Sequence, residues 1–396
     1  MHPGPTRASA PSSDLLPAIS WRREPFRIFF PLAVLLGWVG VGHWLLYTLG
    51  VTASYSGFLH GQLMMQAFMM AFAVGFLLTA VPRRTQGPPP SAFEIGFAIV
   101  ALLAIAGAAL GQRWALVQVA YAALVLLLLQ FAVRRFVGRT ASRRPPASFV
   151  LVPIGVASGL AGAMLIASAS RSSGAPWMVL LGRLLVEQGV FLCFVVGIGS
   201  LVLPLMSGAP PPADIGSSPH ERWKIATYGG LGGAILLSLV LEAAGWVHLG
   251  PLLRAVVVAL GLGVGGGAWR APGKPGLHRR LVWLSVWLMP VGLLGAGLFP
   301  DLRIAALHVL FIGGFSLMGF GVATHVSLSH LGLEALARGK PPAVIVLGFT
   351  VVLAMLARVA ADLSHTYFDH VGWAAALWLI GSAVWLAFLG PKLLRR

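Results

Sequence analysis

The sequence predicts an all-α protein embedded in a membrane, a polytopic bundle of about twelve transmembrane helices. Three observations predict it. Apolar residues make up 58% of the chain and charged residues only 10%, whereas a water-soluble domain carries about 25% charged residues. The mean hydropathy is +0.86. The apolar residues also fall into runs of roughly 20, the length that crosses a ~30 Å hydrocarbon layer at ~1.5 Å per residue. Glycine and proline are spread through those runs, as in membrane helices, where glycine lets backbones approach and neighbouring helices compensate a proline.

The runs place spans at 27–49, 58–81, 92–111, 114–133, 148–169, 177–205, 224–246, 249–269, 281–298, 302–328, 342–362 and 368–389. Residues 1–26 read as a polar amino-terminal segment, 27–389 as one transmembrane domain and 390–396 as a basic tail. The first run, Ile28 to Leu49, exceeds the apolar core of a secretory signal, roughly 7–15 residues, and reads as a retained span. The break at 206–223 holds Gly208 and Pro210-Pro211-Pro212 and reads as a midpoint linker. No repeat is visible between the halves. Cys193 is the one cysteine, which excludes an intrachain disulfide and a thiolate cluster.

The formal net charge is +17. The basic residues lie between apolar runs, so they read as membrane orientation with lipid as the partner, and nucleic acid is not expected. With the amino terminus cytoplasmic, the inner segments hold Arg7, Arg22, Arg23 and Arg27; Arg83 and Arg84; Arg134, Arg135, Arg139, Arg143 and Arg144; Arg222 and Lys224; Arg270, Lys274, Arg279 and Arg280; Arg338 and Lys340; and Lys392, Arg395 and Arg396. The outer loops hold only Arg113, Arg171 and Arg303, while Arg183, Arg254 and Arg358 fall within spans. This asymmetry supports an even span count with both termini cytoplasmic.

The same topology sorts the histidines. His43, His60, His248, His308, His365 and His370 fall near the outer face; His220, His278, His325 and His330 fall near the inner one; His2 lies in the polar segment. Ionisable groups inside a membrane are costly and mark functional sites by default. His60 opens the second span, and Met64, four residues on, shares its helix face. Histidine with methionine suits haem or soft copper; an interfacial histidine above a methionine-rich packing surface accounts for the same residues. His308 lies about 9 Å into the tenth span, followed by Gly313, Gly314, Gly319 and Gly321. Those glycines leave room for a flat macrocycle or a close helix neighbour. His325 and His330 stand roughly 25 Å or more farther along the same helix, so any metal on them is a second site. Arg183 and Glu187 are spaced to pair on one helix face. They read as a buried ion pair, or as a carboxylate partner beside a proton-carrying acid. Arg254 and Arg358 lie at similar outer depth and suit the carboxylates of a haem; for Arg254, snorkelling to headgroups competes. His365 and His370 flank Asp369 in an outer loop, where they suit copper or solvent. No Walker loop, dinucleotide glycine pattern, zinc cysteine pair or HExxH run is present.

Three stretches resemble the NnrS family of multi-span haem- and copper-containing membrane proteins linked to nitric oxide and nitrosative stress. Phe26-Arg27-Ile28-Phe29-Phe30 resembles that family's FRPFF. Gly75-Phe76-Leu77-Leu78-Thr79-Ala80-Val81-Pro82 matches its GFLLTAVP. His308, Leu317-Met318, Val322, Thr324 and Val326-Ser327-Leu328-Ser329-His330 resemble its tenth-span pattern. The resemblance runs from the first span to the end of the tenth. The family's HxHEM run falls on His60 through Met64, but its second histidine is Gln62 here and its glutamate Leu63; its arginine before VSL is His325.

The resemblance implies a haem b protein of the bacterial inner membrane that responds to nitric oxide. It implies His60 and His308 as haem ligands with Met64, Arg183 and Arg358 beside them, an electron donor without a name, and copper weakened by the departures at Gln62 and Leu63; His325 and His330 are candidate metal ligands from the residues alone, at a second, inner site. The arrangement is also similar to haem–copper oxidases, whose haem ligands lie on the second and tenth of twelve helices. No histidine triad occurs on the sixth and seventh spans, which disfavours oxygen reduction. A secondary transporter and a non-catalytic assembly factor are the alternative readings.

Overall fold

The structure, a computed structural model, describes residues 21–140, 144–170, 175–210, 212–216 and 219–394. His2, Arg7, Arg143, Arg171, Arg395, Arg396 and the side chain of His220 lie outside the described residues. Among the described residues there is no β-strand, only one isolated bridge between Pro146 and Asp214. The helices run in order α1 (Phe26–Thr48), α2 (Gly57–Thr85), α3 (Ala92–Leu110), α4 (Trp114–Val137), α5 (Ala147–Ala169), α6 (Pro176–Ser207), α7 (Pro219–Ala243), α8 (Leu249–Gly265), α9 (Leu277–Leu298), α10 (Pro300–His330), α11 (Pro342–Ala361) and α12 (Tyr367–Leu394). A one-turn helix, Glu334–Arg338, follows α10.

Among the described residues, eleven of these are long and apolar enough to cross a bilayer, and α8 is the shorter one. The chain is thus a multi-pass helical membrane protein, in line with a bundle of about twelve helices. The eighth run ends at Gly265, before the expected residue 269. Gly263, Gly265, Gly266 and Gly267 hold a helix poorly, and Gly267 turns the chain with φ +67°. Other helices outrun their apolar stretches. α2 continues through Pro82 to Thr85, α9 begins at Leu277 and α12 reaches Leu394, because basic side chains at those ends extend to the interface while the backbone stays helical. Leu35, Val100, Leu126 and Phe349 point outward from the bundle, an apolar surface suited to lipid.

Three spans form the centre. α2, α6 and α10 are the longest, at 29, 32 and 31 residues, and the most buried, at 78%, 61% and 67%. They recur at every fourth helix, a periodicity absent from any comparison of two halves. Each contains a π segment, at Leu63–Met69, Leu185–Gly189 and Val309–Ser316 respectively, and α10 also opens with a 3-10 turn at Pro300–Leu302. A π segment inside an α-helix is rare and frequently marks a functional site.

The first two stretches that carry the family resemblance and the His330 end of the third meet at the basic-rich end of the bundle, here termed inner. The backbone N–H of Phe26 donates to Thr79 Oγ1 (3.3 Å), and that hydroxyl donates to Gly75 O (2.7 Å). Gly75 lets α1 approach closely; a methyl there would lie 2.9 Å from both Phe29 Cβ and Phe30 Cε1. Phe26 stands edge-on to His330, with ring centres 5.0 Å apart.

Several basic groups expected in inner loops are structural partners at helix ends. Arg135, in the last turn of α4, is buried against Glu94 at the start of α3, with hydrogen bonds of 3.1 and 3.0 Å. Glu94 also closes a capping box with Ser91, so one carboxylate starts α3 and fixes it to α4. Arg84 pairs with Asp214, tying the midpoint linker to the end of α2. Arg27 donates to Leu393 O (2.7 Å), joining α1 to α12.

Removing one partner of a buried ion pair costs about 3–5 kcal/mol. Glu94→Leu and Arg135→Leu are each expected to lower the thermal unfolding midpoint of the purified protein, and the double variant to recover part of the loss. Additive losses in the double variant would count against the pair.

Candidate functional site

At the opposite, outer end of the bundle, α2, α6 and α10 enclose a cavity of about 390 Å³, closed at the side by α11 and α12. That volume lies within the range of small-molecule and cofactor sites. The three π segments lie along it, each beginning one to three residues after a charged or imidazole side chain that lines the space: His60 on α2, Arg183 on α6 and His308 on α10.

His60 and His308 lie across this cavity from one another. Their rings are nearly parallel, 17° apart, with centres 6.4 Å apart. His60 Nδ1–H donates to Gly40 O (2.8 Å), and His308 Nδ1–H donates to Ile304 O (2.7 Å). A carbonyl oxygen only accepts, so both rings carry the proton on Nδ1, and both Nε2 atoms keep their lone pairs. Neither Nε2 has a hydrogen bond to the described residues. A backbone carbonyl on one ring nitrogen, with the other left free, is the arrangement that orients metal-ligating histidines. Two imidazoles bound to opposite sides of one metal at about 2 Å each have ring centres roughly 6 Å apart, which fits the observed separation.

Three arginines line the same space, and each has a carboxylate partner. Arg183 Nε donates to Glu187 Oε1 (2.8 Å), the pair predicted from their spacing. Arg358 hydrogen-bonds Tyr367 Oη (3.1 Å), while its Nη1 lies 3.2 Å from Asp362 Oδ2, out of hydrogen-bonding alignment. Arg303, read from sequence as an outer-loop residue, also lines the cavity and donates to Glu242 Oε1 (2.6 Å). The remaining wall is apolar and aromatic, with Trp44, Phe68, Phe311 and Trp378.

Some expected neighbours lie elsewhere. Arg254 is neither at the cavity nor snorkelling to headgroups. It is fully buried and paired with Glu242, the carboxylate that also holds Arg303. An acid 12 positions away on the preceding helix decides this, beyond the reach of any helix-face argument. Met64 lines the cavity, but its sulfur packs over Gly40, where a methyl would lie 2.9 Å from it. His325 and His330 stay at the inner end. His325 Nδ1 lies 3.2 Å from His278 Nε2, a partner the sequence did not suggest, and His330 sits beneath Phe26. Among the described residues, no group of three or more His, Cys, Asp and Glu side chains gathers for a metal ion.

The model of the NnrS protein family matches residues 20–396. The chain belongs to the NnrS family. The match passes the tenth span, where the recognisable motifs end, and takes in α11 and α12, which supply Arg358, Tyr367 and Trp378 to the cavity. No curated protein matches the chain. The departure of this NnrS member at residue 62 has a structural explanation. Gln62 lies on the side of α2 away from His60 and is fully buried in an amide cluster. Gln118 Nε2 donates to Gln62 Oε1 (2.8 Å), and Gln66 Nε2 donates to Gln118 Oε1 (2.7 Å). A side chain at position 62 therefore faces α4, so His60 and residue 62 do not converge on one metal.

Gln118→Leu strands two buried amides. The expected loss is about 1–3 kcal/mol for each unsatisfied group, measured as a lower unfolding midpoint. Gln118→Glu, which keeps an acceptor for Gln66, is expected to lose less at low pH than at neutral pH, where its charge is buried; equal behaviour of both variants at all pH values would refute the amide assignment.

Proposed function

We propose that this NnrS-family chain is a membrane haem protein of the nitric oxide response, in which His60 and His308 hold one b-type haem. The observation that carries the reading is the pair of imidazoles across a cofactor-sized cavity, each fixed through Nδ1 to a backbone carbonyl and each with Nε2 free. Arg183, Arg303 and Arg358 are the partners for the two haem carboxylates, since a guanidinium has five donors and each keeps some beyond its own acid. Trp44, Phe68, Phe311 and Trp378 supply the flat apolar walls that keep water from the site. A haem held by His60 and His308 would supply electron transfer and a site for gas binding. Glu187, buried and beside the cavity, is a group able to hold a proton there. The family and the many basic residues at one end are in keeping with a bacterial inner membrane and with both termini cytoplasmic. Copper forms no part of this reading.

A reduced-minus-oxidised optical spectrum of protein purified after expression with ample haem is expected to display Soret and alpha bands. His60→Ala and His308→Ala are each expected to abolish or shift them, and nitric oxide to shift the bands of the unmodified protein. A chain without these bands overturns the haem assignment; unchanged bands in both variants overturn the ligand assignment.

A further inference from the structure

Directly beyond the histidine cavity, toward the inner end, the same three central helices border a second space of about 120 Å³, a cleft that is open on one side. Its walls are the next turns of α2, α6 and α10, represented by Phe72 and Ala73, Phe191 and Val195, and Phe315 and Val322. Every lining residue is Gly, Ala, Val, Leu, Ile, Met or Phe, and none offers a side-chain hydrogen bond. Met69 lines both spaces. Phe191 and Phe315 pack at 5.8 Å beneath it, and Phe311 of the upper cavity packs on Phe315 at 6.1 Å. The two spaces are therefore consecutive sections of one cleft, polar above and apolar below.

Chemistry restricts what the lower section accepts. Water finds no partner there, and an apolar protein cavity of about 150 Å³ stays dry yet takes up xenon or benzene. A charged or hydrogen-bonding solute would lose its hydration without compensation. The upper section, by contrast, presents three arginines toward the outer end, each in a carboxylate pair. A small uncharged gas dissolves in hydrocarbon and has no attraction to that ionic rim.

We propose that the slot between Phe72, Phe191 and Phe315 is a docking site for a small apolar gas, which passes Met69 to reach the His60–His308 cavity. Nitric oxide belongs to this class, and its identity as the gas rests on the reading of the cavity given above. Methionine suits the shared position, being unbranched and free to change rotamer without a polar cost. The lower slot loads gas from an apolar phase, and the upper cavity is where it reacts or is sensed.

The test uses the full-length protein in lipid nanodiscs, the unmodified chain beside Ala73→Phe and Val322→Trp, which place bulk in the slot from two different helices. Xenon, followed by saturable shifts in ¹²⁹Xe NMR, is expected to bind the unmodified protein and to lose that saturable site in either variant. Where the chain carries its chromophore, the association rate of nitric oxide after flash photolysis is expected to fall several-fold in both variants, with the optical bands unchanged. Absence of saturable xenon binding in the unmodified protein overturns the docking site. Loss of xenon binding with an unaltered association rate overturns the passage to the cavity. A chain without a chromophore overturns the haem reading and leaves the xenon measurement to decide the docking site by itself.

Discussion

In hydrocarbon a backbone N–H or C=O has no water to turn to, so each must be satisfied inside its own helix. The rest of this structure depends on that constraint. It explains why the described residues contain helices and no strand, and why most of the buried side-chain polarity gathers in two kinds of place. One is the pairing of buried groups with each other, as in Glu94 with Arg135, Glu242 with Arg254 and Arg303, and the three amides Gln62, Gln66 and Gln118. The other is the cavity between α2, α6 and α10.

The constraint is relaxed in α8, at Gly261–Gly265, and beside the cavity. The π segments of the three central helices lie side by side along the cavity, where protein rather than lipid surrounds the irregular backbone. Each changes which way the residues before and after it face. On α2, His60 and Met64 line the cavity while Gln62 and Gln66 turn to α4. On α6, Arg183 and Glu187 reach the cavity together, and the π segment carries Gln188 there as well. The recurrence of one long, deeply buried, π-containing helix in every four gives the site three structurally equivalent walls with different chemistry, two imidazoles and one ion pair.

The inner end follows a different logic. The family's most recognisable residues lie there, and they act as a clasp: Phe26 bonded to Thr79, Phe29 and Phe30 against Gly75, His330 beneath Phe26. This clasp lies away from the cavity. The cavity is marked by His60 and His308, which the resemblance also takes in, each the only histidine at the outer end of its helix.

Much of this was legible in the residues themselves. Hydropathy set the helices to within a few positions, because burial in lipid is a property of a run of side chains. Basic residues between the runs then divided His60 and His308 from His325 and His330, and helical spacing paired Arg183 with Glu187. The contacts that stayed out of reach of the sequence share one cause. Arg254 found Glu242, Arg303 entered the cavity, Gln62 turned to Gln118, and His278 met His325 because of how neighbouring helices are rotated and at what depth they cross. A hydrophobic run has nearly the same hydropathy on every face, so its sequence carries little information on which face meets which neighbour. The sequence by itself determined a membrane bundle with two histidines at one end. Only the packing of twelve helices decided that those two share a cavity, that three arginines rim it and that an apolar slot lies below.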